Sequence, residues 1–304
     1  MRRALALLAA GALVASPACA ARNYTDPAGP RYAGAYGVPT PPPEDEFKVV
    51  SFNIKYAKRI TRAINLLREH PDVAGADVLA LQEMKEEAVV RIAYVLKMNY
   101  VYYPATVHPS ADGDFGNALL ARWPLVDDRK IILPHHGRLS GRQRTATAAT
   151  MLLGRDRVRL YSVHMDTVMS ISGGQRRDQA RAIFEDAQHF ALALVAGDFN
   201  SRWIGEVFEE GGFAWPTKEV GRTLPLFQWD HVFVKGLRPP APPAVGVVRD
   251  TRGASDHRPV WAVLRLPAPE DRVDRGAPGV LPFLPNTLPS RAERGPAVSG
   301  PSGG

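Results

Sequence analysis

Between residues 47 and 266 short apolar runs alternate with helical periodicities, and at six places an apolar run adjoins polar residues of the same few types. These are Asn53, Glu83, His164, Asp198 with Asn200, Asp230, and Asp256 with His257. One polar residue at a strand end is ordinary turn chemistry or a helix cap. Six sites drawn from amides, carboxylates and imidazoles form a pattern, because a sheet gathers its strand ends along one edge and α/β proteins bind ligands there.

The apolar runs predict strands over 47–52, 77–82, 117–122, 146–153, 158–163, 192–196, 231–234, 245–248 and 259–265. Ile60, Ala63, Ile64 and Leu67 have the spacing of an amphipathic helix, placed over 58–69. Further helices are expected over 86–97 and 174–190, with Ser172-Gly173-Gly174 leading into the latter. Strands outnumber helices and the helices fall between them, which implies a layered α/β body of about 220 residues around a substantial core.

Composition narrows the class further. Of the 304 residues, 45% are hydrophobic and 23% charged, which excludes a collagen, a wholly disordered chain and a multi-span membrane protein. Cys19 is the sole cysteine, so a disulfide framework and a cysteine-ligated metal site are both excluded. Four arginines balance four acids in residues 1–46, and the same balance holds in 267–304. The net charge of +7 therefore belongs to the body and suits an anionic partner.

The two ends read as an address and a tail. Met1-Arg2-Arg3, an apolar run from Ala4 to Ala15 and the small residues Ser16 to Ala21 have the form of a signal peptide over 1–20. Cleavage after Ala20 fits ordinary export, and Cys19 after Ala18 fits a lipoprotein signal ending before Cys19, which would tether the chain to a membrane. Both place the protein outside the cytoplasm: periplasmic, secreted or membrane-anchored. Residues 21–46 are rich in proline and glycine and are expected to be a linker. Residues 267–304 have the same character and are expected to be disordered.

The polar residues have the makings of a phosphodiester-cleaving site. Hydrolysis of a phosphate ester needs a cation for the phosphoryl oxygens, a base to orient water, and donors for the developing charge. Glu83 with Asn53 offers part of the oxygen shell that magnesium prefers. Asp198 and Asn200 lie two residues apart, on one side of an extended segment, and can serve as base and positioning amide. His257 suits a non-bridging or leaving oxygen, and Asp230 can fix its tautomer.

These segments resemble the endonuclease/exonuclease/phosphatase superfamily, in its deoxyribonuclease- and sphingomyelinase-like branches. The resemblance rests on VVSFNI (49–54), DVLALQEM (77–84), GNALLARWPL (116–125), YSVHMDT (161–167), LVAGDFNS (194–201), WDHVFV (229–234) and SDHRPV (255–260), which occur in the family's order. It implies a four-layered α/β sandwich, with two facing mixed β-sheets flanked by helices and a divalent-metal site at one rim. It makes Glu83 the principal metal ligand with Asn53 beside it, and puts Asp256 near a second metal position. Asp198 and Asn200 become the water-orienting and phosphate-contacting pair, His257 the transition-state histidine and Asp230 its orienting carboxylate. The same likeness matches His164 to a second histidine, places Asn117 at the border of the site, and makes Arg142 or Arg144 a phosphate contact. Magnesium is the implied cofactor, with manganese or calcium as substitutes.

Arg155, Arg157 and Arg159 are expected on the solvated face of a hairpin. His70, His108 and His189 are expected at the surface, and the pair His135-His136 has no third metal ligand nearby. The expected function is therefore an exported, metal-dependent phosphoesterase, acting as a monomer on nucleic acid, a phospholipid or phosphoinositide headgroup, or a smaller phosphate ester. The rival is a non-catalytic binding module that keeps the fold; loss of Glu83, Asp198 or His257 would mark it, and all three are present.

Overall fold

The computed structural model describes residues 22–268, so the expected signal over 1–20, Cys19 and nearly all of the expected tail lie outside the described residues. Among the described residues twelve strands form two sheets. They are β1 (Tyr32–Ala35), β2 (Glu46–Asn53), β3 (Val78–Met84), β4 (Asn99–His108), β5 (Gly113–Ala121), β6 (Leu125–His136), β7 (Gln143–Leu153), β8 (Asp156–His164), β9 (Ala193–Asp198), β10 (Asp230–Lys235), β11 (Val245–Val247) and β12 (Val260–Arg265). One sheet runs β1-β4-β5-β3-β2-β12-β11 and the other β10-β9-β8-β7-β6. Both are mixed: β2 and β3 are parallel, as are β8 and β9, and the remaining pairs are antiparallel. Four α-helices flank them: α1 (Ile60–Glu69), α2 (Glu86–Leu96), α3 (Gly173–Ala187) and α4 (Gly205–Glu210).

The period-2 alternation of side chains explains the layering. Val49, Val78, Ala80, Leu194 and Ala196 point between the sheets and build the central core. Their neighbours Val50, Leu79 and Leu81 face outward, under Ala63, Ile64 and Leu67 of α1 and Val89 and Ile92 of α2. On the other side Ala193 and Val195 pack with Ala180 and Ile183 of α3 and Phe208 of α4. The result is helix, sheet, sheet, helix: the four-layered sandwich. Ser172 caps α3 in a reciprocal box with Gln175, as its position before the helix suggested.

Three strands and one helix escaped the sequence reading, each for a physical reason. Strand β4 contains Pro104, which sits where the pairing with β5 shifts register, a bulge that accommodates a residue lacking an N–H. Strand β6 carries Asp127, Asp128, Arg129 and Lys130 and is interrupted by two register shifts; it is a sheet edge, where charge is tolerated. Strand β1 lies in the segment expected to be a linker. Helix α4 is too short to display a period.

The segment from residue 22 to residue 45 is thus not a tether but part of the body. Besides the pairing of β1 with β4, Tyr24 N donates to Ala105 O and Val107 N to Arg22 O, both at 2.9 Å. Lys130 is buried and donates to the carbonyls of Tyr24 and Gly29 at 2.8 and 2.5 Å, and Arg31 pairs with Asp128 at 2.6 Å. Proline and glycine lower helix content but leave carbonyls free to serve a sheet edge. Arg159 is a second correction. Instead of facing solvent it is buried, donating to Asp127 O and to Thr150 Oγ1 with Phe190 over its guanidinium.

Candidate active site

Strand register sets the site. In the five-stranded sheet His164 is level with Asp198 across the parallel pair β8 and β9, and Asp198 is level with Asp230 across β9 and β10. Three polar residues therefore stand in one row at one edge. In the other sheet Asn53 is level with Gln82, and the register breaks between Leu81 and Met84, where Glu83 takes a φ of 60°. A carboxylate residue held in the left-handed region is strained, and such strain gathers at functional sites. Asn200, at φ 51°, is a second such residue. Beneath this edge Gln82 Nε2 donates to Ser162 Oγ, which in turn donates to Leu81 O, both at 3.0 Å, so the sheets are joined directly under the site.

Asp198 is the hub. Its Oδ2 lies 3.0 Å from Asn53 Nδ2, 3.5 Å from His164 Nε2 and 3.7 Å from His257 Nε2, and its Oδ1 accepts from Asn200 N at 2.9 Å. Asn53 Nδ2 also donates to Glu83 Oε1 at 3.1 Å, and Glu83 Oε2 accepts from Tyr56 N at 2.9 Å. Glu83, Asn53 and Asp198 thus form one chain of contacts across the gap between the sheets. The Asn200 amide is anchored by a bond to Met165 O at 3.0 Å. His257 hangs from the loop before β12: its N–H donates to Ser255 Oγ, and that hydroxyl donates to Asn53 O at 2.7 Å.

Electrostatics separate the roles. Burial, reinforced by Asp230, raises the Asp198 carboxyl to about 7 against the pull of His257 and of the Asn200 and Asn53 N–H groups. Burial disfavours a charged His257, but Asp230, 2.9 Å from Nδ1, and Asp198 overcome it and raise the imidazole to about 10. His164 is the opposite case: burial and then the Arg144 cation hold it well below its ordinary value, so it is neutral. A base near neutrality and a permanent imidazolium therefore stand side by side.

The remaining predicted residues fall into two groups. Arg144 belongs to the centre: its guanidinium lies 3.1 Å from the His164 ring nitrogens, 3.5 Å from Asp166 Oδ1, and over the Phe115 ring. Asn117 is buried, with Nδ2 given to Thr145 O at 2.6 Å and Oδ1 without a partner. Arg142 stands further out and is felt by His108. Asp256 is exposed and paired with Lys55 at 2.6 Å. His108, expected at the surface, is buried between Tyr56 and Phe115, and its imidazole is lowered to about 4 by burial and then by Arg142, Arg144 and Lys58. It closes the unrecognised β4, so no sequence signal pointed to it. Lys55 and Tyr56 stand two and three residues after Asn53, and that nearness in sequence was the available clue. His135 bonds Asp178 at 2.9 Å.

Two sets of donors bear on a cation. Asp198, Asp230 and His257 converge to within 4.8 Å, as no other three His, Cys, Asp or Glu among the described residues do. Yet His257 Nδ1 is engaged with Asp230, and an imidazolium offers protons rather than a lone pair. Glu83 offers a hard, anionic oxygen, which is the chemistry magnesium takes. Asn53 turns Nδ2 toward Glu83 while its Oδ1 accepts from Lys55 N at 3.2 Å, so Asn53 joins a cation's shell only with its amide turned over.

Residues 50–257 match the model of the endonuclease/exonuclease/phosphatase family. The chain belongs to this family. The endonuclease/exonuclease/phosphatase family consists of hydrolases acting on phosphoester bonds and includes metal-dependent nucleases and phosphatases. Among similar solved structures is an endonuclease/exonuclease/phosphatase from Beutenbergia cavernae DSM 12333, at 18% identity and TM-score 0.60, covering 73% of this chain and 72% of that one. D. rerio TDP2 complexed with a single-strand DNA product matches at 14% identity and TM-score 0.55, covering 72% and 98%. The human Nocturnin catalytic domain with a bound sulfate anion matches at 17% identity and TM-score 0.55, covering 77% and 97%. At these identities the likeness is one of fold. No curated protein matches the chain in sequence.

Proposed function

We propose that the chain hydrolyses phosphodiesters, with a divalent cation as cofactor, by in-line attack of water. The observation that carries this reading is the pairing of Asp198, raised to about 7, with a protonated His257 whose Nε2 lies 3.7 Å from it. Glu83 and Asn53 would hold the cation, magnesium before manganese or calcium, with Asp256 as the residue nearest a second position. When bound, such an ion neutralises phosphoryl oxygens and lowers the cost of charge that builds on them.

The chain's own groups supply the rest. Asp198 accepts the proton of the attacking water as its oxygen closes on phosphorus, and the Asn200 backbone N–H fixes the carboxylate for that task. His257 donates from Nε2 to a non-bridging or leaving oxygen, while Asp230 holds Nδ1 and keeps the ring charged. Arg144, 3.1 Å from the neutral His164 that itself reaches Asp198, offers its guanidinium to a second phosphoryl oxygen. Arg142 extends the positive field outward, and Asn117 has a buried Oδ1 free to order water. All of these groups come from one chain, so a monomer suffices. Residues 1–20 act in this reading as an export signal, with Cys19 as the membrane tether if it is lipidated.

The test is turnover of bis-p-nitrophenyl phosphate and p-nitrophenyl phosphate with magnesium, manganese or calcium, and with EDTA. Diester turnover that vanishes in EDTA supports the reading. Absence of turnover with every metal contradicts it and favours a binding module that keeps the fold.

A further inference from the structure

The strand directions send four loops to the edge that carries His164, Asp198 and Asp230. Strand β8 ends there at His164, β9 ends there at Asp198, and β10 starts there at Asp230. Strand β7 runs antiparallel to β8, and β6 antiparallel to β7 with His136 level with Gln143, so their connection emerges at the same edge. The four loops are 137–142, 165–172, 199–204 and 222–229. They are bonded to one another: Arg138 N donates to Ser170 O at 3.1 Å, Asn200 Nδ2 to Met165 O, and Phe199 N to Trp229 O at 2.9 Å. The rim is therefore one ordered surface around the site.

Its tips are apolar and stand in water. Leu139 is 99% exposed, Met169 85%, Leu226 72% and Trp203 70%, and Val168 and Phe227 are exposed beside them. Large apolar groups grouped around a site mark an interaction surface. The charged residues of these loops are nearly all cations: Arg138, Arg142, Arg202 and Arg222 against Asp166, which is buried beside Arg144. Arg202 is paired outside the loops with Glu219 at 3.1 Å.

We propose that this rim docks on a bilayer that carries anionic lipid, and so presents the headgroup phosphodiester of a phospholipid to Asp198 and His257. Apolar side chains that enter the headgroup boundary, among arginines that meet its negative charge, are the features of interfacial binding. Four of the six exposed apolar tips, Leu139, Val168, Met169 and Leu226, have no ring face on which a base can stack, whereas Trp203 and Phe227, the latter stacked on Trp229, do; the aliphatic majority favours a bilayer over a nucleic-acid strand. The substrate class named here rests on the phosphodiester reading above; the docking itself does not.

Vesicles of phosphatidylcholine, with and without about a third phosphatidylglycerol, supply the probe. The full chain is compared with its Leu139→Ser/Met169→Ser/Leu226→Ser variant by co-sedimentation, so any affinity due to residues 1–20 is common to both. Quenching of tryptophan fluorescence by lipid brominated in its acyl chains, in the wild type and in Trp203→Phe/Trp229→Phe, which removes both tryptophans of the rim, reports the rim alone. The expected results are tighter binding to anionic vesicles, a partition coefficient lowered about tenfold or more in the triple variant, and quenching lost in Trp203→Phe/Trp229→Phe. Turnover of soluble bis-p-nitrophenyl phosphate stays at the wild-type value, which separates a failed rim from a failed active site. Equal partition of the two proteins, or quenching that persists in Trp203→Phe/Trp229→Phe, overturns the proposal. Loss of single-stranded DNA binding in the triple variant with vesicle binding intact also overturns it, and assigns the rim to nucleic acid.

Discussion

His257 Nδ1 lies 2.9 Å from Asp230 Oδ2, and this contact holds a buried imidazole in its charged form. Its Nε2 faces Asp198, so one ring is held between two carboxylates whose roles differ. Asp230 is fully buried and, beyond His257, Thr223 Oγ1 accepts its backbone N–H. Its position fixes the ring; the ring's free nitrogen is what a substrate meets.

The pH dependence follows from these two groups. Turnover needs Asp198 ionised, so it rises as pH passes about 7, and it needs His257 protonated, so it falls as pH passes about 10. Asp230→Asn removes the stronger of the two charges that raise His257, and the alkaline limb should move toward neutrality. The stabilisation from charged His257 is complete below its unfolded value of about 6.5 and is lost as pH rises through the folded value, so the variant should also lose stability in that window. Rate profiles of wild type and variant check this; an unmoved alkaline limb contradicts the pairing.

Glu83 is bonded by Asn53 Nδ2 and Tyr56 N and leaves its remaining lone pairs for a cation. Glu83→Gln keeps the size and removes the charge. The magnesium concentration giving half-maximal turnover should rise about tenfold or more. A magnesium titration of the two proteins is the measurement, and superimposable curves would remove Glu83 from the metal's shell.

Residues 22–45 carry stability as part of the body. A chain that begins at residue 44 leaves the buried Lys130 ammonium without the carbonyls of Tyr24 and Gly29 and uncovers the edge of β4. The truncation removes the Lys130 bonds, the Arg31–Asp128 pair and the β1–β4 ladder, each bond worth about 0.5–1.5 kcal/mol net, so unfolding free energy should drop by about 3 kcal/mol or more. Urea denaturation reads the difference, and an unchanged midpoint would restore the linker.

What the sequence disclosed, and what it hid, divides along physical lines. Asn53, Glu83, Asp198, Asp230 and His257 were legible because each adjoins an apolar run, and register brings such positions to one edge whatever lies between them. The layers were legible for the same reason, since alternation along β2, β3 and β9 assigns each apolar residue a face. Of the four edge strands, β10 and β11 were legible as apolar runs, but β1 and β6 were not, because they hold glycine, proline and charge that interrupt such a run. His108 was lost with β4. Arg159 was misread because sequence carries no sign that Thr150 and the Asp127 carbonyl would receive a buried guanidinium. Asp256 is the site residue whose surroundings differ most from its expected role, since Lys55 already answers its charge.

The measurement that bears most directly on the central claim is the turnover of Asp198→Asn on bis-p-nitrophenyl phosphate at saturating magnesium. Asparagine keeps the shape between Asn53, Asn200 and His257 and relieves a buried charge, but its NH2 must face either Asn53 Nδ2 or Asn200 N, so the variant should remain folded with a modest change in thermal midpoint. Its turnover should fall about a thousandfold or more, because the base that takes the proton of water is gone. A folded variant that turns over within about threefold of the wild type would show that the reaction does not pass through Asp198.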